Sequence, residues 1–366
     1  MHKEPSGVWI MAYTTIDDPS AHFQVVTWTG DGSSLAVVND GNSDLQPDLI
    51  WIKEKSNTSS HQLYDSTRGT TKSLSSDDDT VEGSNGDALT AFNSDGFTQG
   101  GDGGTGQDGE TYVGWQWKAN GGSTTTNDAS ATGVGGLDSV YQANTTAGFS
   151  IVTYTGSGSN TTVAHGLGNI PEVIIFKKRT DDVEDWLVYH HTQGNTAAGK
   201  LNTSTVFETG SSTLFDSTTP TSTVFSIRTN GKVNDDTDTY VTYCFSEVQG
   251  YSKFGKYIGN GNINGPFIYL GFKPSYFMWK GVGSGGVHWR TVDNARYPSN
   301  LGSNTPHLSS NQAAAEATDI YVDFLSNGVK VRNTDNGANT SGDTYVYMAF
   351  AENPFVTSGG VPATAR

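Results

Sequence analysis

The sequence predicts an all-β protein of three tandem β-sandwich, jelly-roll-like repeat domains, each of about 100 residues, on three observations. Glycine is abundant, 45 of 366 residues, and aromatic residues reach 11% while charged residues stop at 16%. Glycine supplies the positive φ of tight turns, and aromatic rings suit pleated, half-buried surfaces. Lastly, one apolar phrase recurs: "PDLIWIK" from Pro47 to Lys53, "PEVIIFK" from Pro171 to Lys177, and "PSYFMWK" from Pro274 to Lys280.

The elements follow in the same order in each copy. An opening strand ends at glycine: "FQVVTWTG" (23–30), "FSIVTYTG" (149–156) and, more loosely, "FGKYIG" (254–259). The marker strand comes next. Its proline opens a strand where no ladder donor is needed, its unbroken apolar run suits a central strand covered on both faces, and its lysine is expected to carry an ammonium into water. An aromatic segment follows: "HQLYD" (61–65), "WLVYH" (186–190) and "WRTVD" (289–293). After a variable stretch come turn signals in "FNSDGF" (92–97), "SIRTNGKV" (226–233) and "FLSNGVKV" (324–331), where Asp-Gly and Asn-Gly predict hairpins. The closing strands are "YVGWQW" (112–117), "YVTYCF" (240–245) and "YVYMAF" (345–350).

These markers divide the chain into an N-terminal arm (1–22), repeat 1 (23–121), a Gly/Ser/Thr/Asn-rich linker (122–146), repeat 2 (147–252), repeat 3 (253–355) and a C-terminal tail (356–366). Rings scattered among the glycines of 247–267 predict that repeats 2 and 3 pack closely. The helical candidate is "SSNQAAAEA" (309–317).

A net charge of −17 without a basic cluster excludes nucleic acid and anionic membranes as partners. The apolar run "VWIMAY" is too short for a signal core or a membrane span, so no membrane insertion is expected. A single cysteine, Cys244, excludes an internal disulfide framework. Its equivalents in the other closing strands are Gln116 and Ala349, which argues for a small buried hydrophobe rather than a nucleophile. His190 and His191 are consecutive and would point to opposite faces of a strand. "GDGGTG" (101–106) lacks the strand and helix that a dinucleotide fingerprint needs. "SSDDDTVEGSNGD" (75–87) and "GDGGTGQDGE" (101–110) read as solvated loops offering oxygens to a weakly held calcium ion, with no ligand set defined by spacing; no cofactor is otherwise expected. Trp186, Trp289 and His61 hold matching places, as core filling or as sugar-stacking rings.

Several longer blocks carry a resemblance: "AYTTIDDPSAHFQVVTWTG" (12–30), "LTAFNSDGFTQGGD" (89–102), "VAHGLGNIPEVIIFKKR" (163–179), "GYSKFGKYIGNGNINGPFIYLGFKPSYFMWK" (250–280) and "YVYMAFAENPFVTSGGVPATAR" (345–366). In these the chain resembles virion structural proteins of tailed bacteriophages, especially marine and cyanobacterial ones, built from a tandem domain of unknown function. The resemblance implies a non-enzymatic tail fibre or tail appendage that contributes to host attachment on the virion surface, assembled in the host cytoplasm. Its partners would be other virion proteins of tail or capsid and a host cell-surface glycan or protein, and a homo-oligomer, a trimer, is expected. The first ten residues would be an alternative start or an attachment arm. Capsid decoration, as a head fibre or cement protein, is the alternative; a carbohydrate-binding or glycan-active protein is the third. Receptor contact is expected where the copies differ, at 75–88, 98–110, 202–223 and 296–318, through the isolated rings Phe207, Phe215, Tyr297 and His307.

Overall fold

The recurring phrase builds the same sheet three times. A computed structural model describes residues 2–3, 9–10, 13–283, 285–300, 305–320 and 322–364. In each copy four antiparallel strands lie in the order opening, closing, marker, aromatic. They are Phe23–Thr29, Thr111–Trp117, Leu49–Glu54 and Gln62–Asp65 in the first copy. In the second they are Phe149–Thr155, Thr239–Phe245, Val173–Lys178 and Leu187–His190, and in the third Ser252–Ile258, Thr344–Pro354, Phe272–Gly281 and Arg290–Asp293. The register is shared too, since Trp115 faces Trp51, Tyr243 faces Ile175 and Met348 faces Met278. The chain is all β; among the described residues the α-helices are single turns, Ala129–Thr132 and Gly231–Asn234.

Local chemistry explains the repeated letters. A Cβ on Gly30, Gly156 or Gly259 would come within 2.3, 2.0 or 2.2 Å of a backbone carbonyl in the loop entering the closing strand. Only glycine allows that approach. The tyrosine that starts each closing strand pins the same loop: Tyr112, Tyr240 and Tyr345 accept from the N–H of Gln107, Asp235 and Thr340. They donate in turn to the carbonyls of Gly103, Gly231 and Asn336. Pro47 and Pro171 precede their strands, whereas Pro274 lies inside one, at a register shift that absorbs its missing N–H. In the third copy the residue in register with Phe23 and Phe149 is Ser252 rather than Phe254. Phe254 lies two residues on, on the same face, and fills the same core.

Each marker strand is buried on both faces. Ile50 and Ile52, Ile174 and Phe176, and Phe277 and Trp279 face small satellite sheets and form separate local cores. The opposite faces, with Leu49 and Trp51, Val173 and Ile175, and Tyr276 and Met278, meet in one common core. The three sheets therefore do not stand apart as separate sandwiches. Phe23, Trp117, Tyr276, Phe245 and Phe350 interlock there at ring separations of 5.0 to 6.2 Å.

Several sequence expectations are corrected. The expected linker 122–146 holds strands Thr125–Asn127 and Ser139–Asn144, which extend the second sheet beyond its opening strand. Its Gly- and Ser-rich letters serve the turn between them, where Asp128 caps a helical turn. Residues 312–316 are not helical. Ser59 donates to the Ala313 carbonyl and Glu316 to that of Lys55, and these bonds to the first copy override alanine's helix propensity. Asn230-Gly231 makes no hairpin turn; Asn230 caps the Gly231–Asn234 turn instead. Phe92 and Phe97 do close a hairpin, as do Leu325 and Gly328. Most of the first twelve residues lie outside the described ones, apart from pairing of His2–Lys3 with Trp9–Ile10. From Tyr13 onward the arm is docked: Tyr13 donates to the Gly271 carbonyl, Thr14 to that of Gln249, and Ile16 enters the common core. The tail returns to it through Ser358 and Asp17.

Candidate functional site

All four residues expected to contact a receptor are buried. Phe207 (4% exposed) packs on Trp289, Phe215 (3%) on Phe176 and Tyr189, and Tyr297 (2%) joins the third local core. His307 is 5% exposed, and burial pushes its pKa down to about 4. The reason is physical: a polar loop crossing a sheet is anchored by whichever apolar side chain it carries, so an isolated ring in such a loop is a plug. What these loops leave exposed is largely polar, hydroxyls at Thr205, Ser212 and Thr213 and a carboxylate at Glu208. Residues 301–304 of the 296–318 segment lie outside the described residues.

The seams between copies hold most of the chemistry, in cyclic order. The aromatic residue heading each aromatic segment donates to a carbonyl of the next copy around the ring. Trp186 reaches Ser75 at 2.8 Å, Trp289 reaches Lys200 at 2.8 Å, and His61 Nε2 reaches Ser309 at 3.1 Å. His61 Nδ1 accepts from Trp51 Nε1, which leaves its proton on Nε2. A second set lies deeper: Tyr243 donates to Asp65, Trp115 to Asp293, and His190 Nε2 lies 3.2 Å from the Tyr347 carbonyl. Asp65 and Asp293 are each paired with a buried arginine, Arg68 and Arg296. Burial pushes the pKa of His61 and of His190 down to about 3, so both are neutral bridges at physiological pH.

The marker lysines depart from expectation. Lys53, Lys177 and Lys280 are fully buried rather than reaching water. Their ammonium groups donate to carbonyls: Glu54 and Asn57, Asp79 and Glu184, and Val287. Burial pushes each pKa down to about 8. The lysine keeps the inward face of its strand, so loop carbonyls cover its ammonium instead of water, and at Lys177 that cover includes the Asp79 carbonyl of the first copy.

The acidic segment 75–87 is solvated at Asp79, Thr80, Ser84 and Asp87, as expected, but Glu82 and Asp77 make it a clamp as well. Glu82 binds Arg179 of the second copy at 2.8 and 3.0 Å and Arg68 of its own copy at 3.1 Å, while Asp77 accepts from the His61 N–H. Among the described residues no group of three or more His, Cys, Asp and Glu side chains converges as a metal site. Cys244 is buried in the second local core, and burial holds its thiol well above its usual pKa. The rings of His190 and His191 stack at 5.4 Å, because the strand gives way to a 3-10 turn between them.

A family model described as Domain of unknown function (DUF7483) matches residues 18–354, from the turn before the first opening strand to the end of the last closing strand. The chain belongs to this family. The match spans all three sheets of the family member, including every seam contact above. No curated protein and no solved structure matches the chain.

A polar groove of about 390 Å³ lies between the first and third copies, lined by Ser20, Gln24, Asp40, Asn42, Asn294 and Glu352 among others; a larger one of about 490 Å³ lies between the N-terminal arm and the second copy. The common core itself holds only a void of about 10 Å³ lined by apolar and aromatic residues. Sequence reasoning missed the groove, because its walls come from segments far apart in the chain.

Proposed function

We propose that this chain is a structural protein of a tailed-bacteriophage particle, displayed on the tail as an appendage that contributes to host-surface attachment. The observation that carries this reading is the use of polar and titratable side chains as joints: His61, His190, Lys177, Trp186 and Trp289 bond backbone carbonyls across the seams, and Tyr243 and Trp115 bond the carboxylates of Asp65 and Asp293 there. Groups tied in this way hold a rigid body together, which supports a protein that acts by binding. The resemblance of its sequence blocks to phage virion proteins supplies the setting. The cyclic arrangement of three sheets favours a second reading, capsid decoration, since an arrangement of threefold character suits a threefold site on a shell.

Antibody against the folded protein, applied to assembled particles and viewed by electron microscopy, tests both. Label on the tail is expected. Label confined to the head makes decoration the function, and particles free of label overturn both readings.

A further inference from the structure

The outer edges of the three opening strands differ. Each opening strand has its closing strand on one side, so alternate residues turn N–H and C=O towards the other side. In the first copy the His22 carbonyl accepts from Lys118 and Gly30 donates to the Glu110 carbonyl, which makes Val25, Thr27 and Thr29 the outward residues. Their counterparts in the second copy, Ile151 and Thr153, stand opposite Gln142 and Val140 of the added strand Ser139–Asn144. In the third copy the Phe254 carbonyl takes His191 of the second, and exposed Lys256 sets a charge on the rest of the edge. The first copy has neither device. Among the described residues nothing pairs with the outward backbone of Val25, Thr27 and Thr29, and both threonines are exposed. The residues as far before Phe23 as 139–144 are before Phe149 are 13–18, and these are held elsewhere: Tyr13 at Gly271, Thr14 at Gln249 and Ile16 in the common core.

The groove of about 390 Å³ is the slot that the added strand fills in the other seam. There Gln142 bonds Ser66 and Thr67 at 2.9 and 2.7 Å, and Tyr141 lies so close to Gly166 that a Cβ on the glycine would come within 2.2 Å of its ring. Asn294 and Ala295 are the counterparts of Ser66 and Thr67, each pair standing between the paired aspartate and arginine of its copy, and they line the groove with Phe23, Val25 and Gly41. We propose that this slot takes an extended segment of another protein by strand addition, antiparallel to Phe23–Thr29. Main-chain bonds to the open edge give the affinity, so the groove's polar side chains can keep their present partners. Charge selects the occupant. Asp40 lines the groove and Asp31 follows the strand, with no basic residue in the lining. A second copy paired antiparallel would bring its Asp31 towards Asp40, whereas a segment with lysine or arginine at its ends meets both favourably. The inference goes beyond the attachment reading and rests on it only for the source of the segment, a neighbouring protein of the particle.

The test titrates the full chain with a capped, fluorescent peptide that copies the sequence of Ser139–Asn144 between two lysines, and follows amide hydrogen exchange of the complex. Binding at one site is expected, with new protection at Thr27 and Thr29. The same peptide flanked by glutamates should bind more weakly at low salt, and the difference should close as salt screens it. Thr27→Pro removes an outward N–H at an edge position that accepts proline, and should lower the affinity at least about fivefold with an unchanged melting temperature. If that variant fails to fold, exchange in the unaltered chain still decides. No binding, binding without protection of Thr27 and Thr29, or equal low-salt binding of the glutamate-flanked peptide each overturns the proposal. Sedimentation at rising concentration covers the other occupant: a dimer that protects the same amides makes it a second copy and overturns the proposal too. Particle labelling without peptide binding removes the slot and leaves the attachment reading. Peptide binding without labelling does the reverse.

Discussion

Lys53, Lys177 and Lys280 show how a residue's letter can be legible while its environment is not. Their recurrence marks the strand ends correctly, but a lysine beside an apolar run ordinarily keeps its charge in water. Here loop carbonyls cover it, which only the folded chain reveals. The same blindness placed Phe207, Phe215, Tyr297 and His307 on the surface, because loop composition does not say which side chain anchors the loop. Burial of the lysines has a consequence in alkali. Each folded pKa is pushed down to about 8, against about 10.4 in an unfolded chain. Between those values the unfolded chain holds more protons, so stability climbs as pH rises from about 8 towards 10. The gap corresponds to roughly 3 kcal/mol per lysine. Lys177→Met removes one of the three groups, and with it the bonds to the Asp79 and Glu184 carbonyls. Urea unfolding at several pH values should show a smaller alkaline rise than in the parent chain; an undiminished rise would mean that Lys177 is not buried as described.

At the scale of elements, Glu82 joins the acidic segment of the first copy to the marker strand of the second. Its side chain is 8% exposed and its partner Arg68 is fully buried. Glu82→Gln leaves the Arg68 guanidinium with Asp65 and Tyr243 and strips Arg179 of its bidentate partner. Breaking a buried pair on one side costs about 3 kcal/mol, a loss that chemical denaturation would read directly; a change below about 1 kcal/mol would make the contact an ordinary surface pair. Strands were the most legible elements, since the marker, aromatic and closing strands all occur where their apolar runs lie. Failures came where tertiary contacts outbid local signals. The Ala-rich 313–316 stretch is held extended by Lys55 and Ser59, and the Thr-rich expected linker is captured by the free edge of the Phe149–Thr155 strand. The groove was not legible at all, because no spacing in the chain connects Asp40 with Glu352.

The whole molecule differs from a string of domains in one testable respect. Three sandwiches with private cores would unfold separately, each with its own midpoint. Here the inner faces of all three sheets form one cluster, in which Trp117 of the first copy touches Phe245 of the second and Phe350 of the third. Removing any sheet would expose the inner faces of the other two, at roughly 25 cal/mol per Å² of apolar surface. The seam bonds close in a ring, so loss of one copy also opens two seams. Unfolding should therefore be a single cooperative transition by calorimetry, with calorimetric and van't Hoff enthalpies that agree. Met348→Ala, at a common-core position 5% exposed, is the sharper probe. It should cost about 2–5 kcal/mol and move the one transition down as a unit, so that tryptophan fluorescence, with four of the eight rings in the first copy, shifts with far-UV dichroism. If the third copy instead melted early while Trp51, Trp115 and Trp117 kept their native emission, the common core would not couple the copies, and tandem independent sandwiches would be the better description.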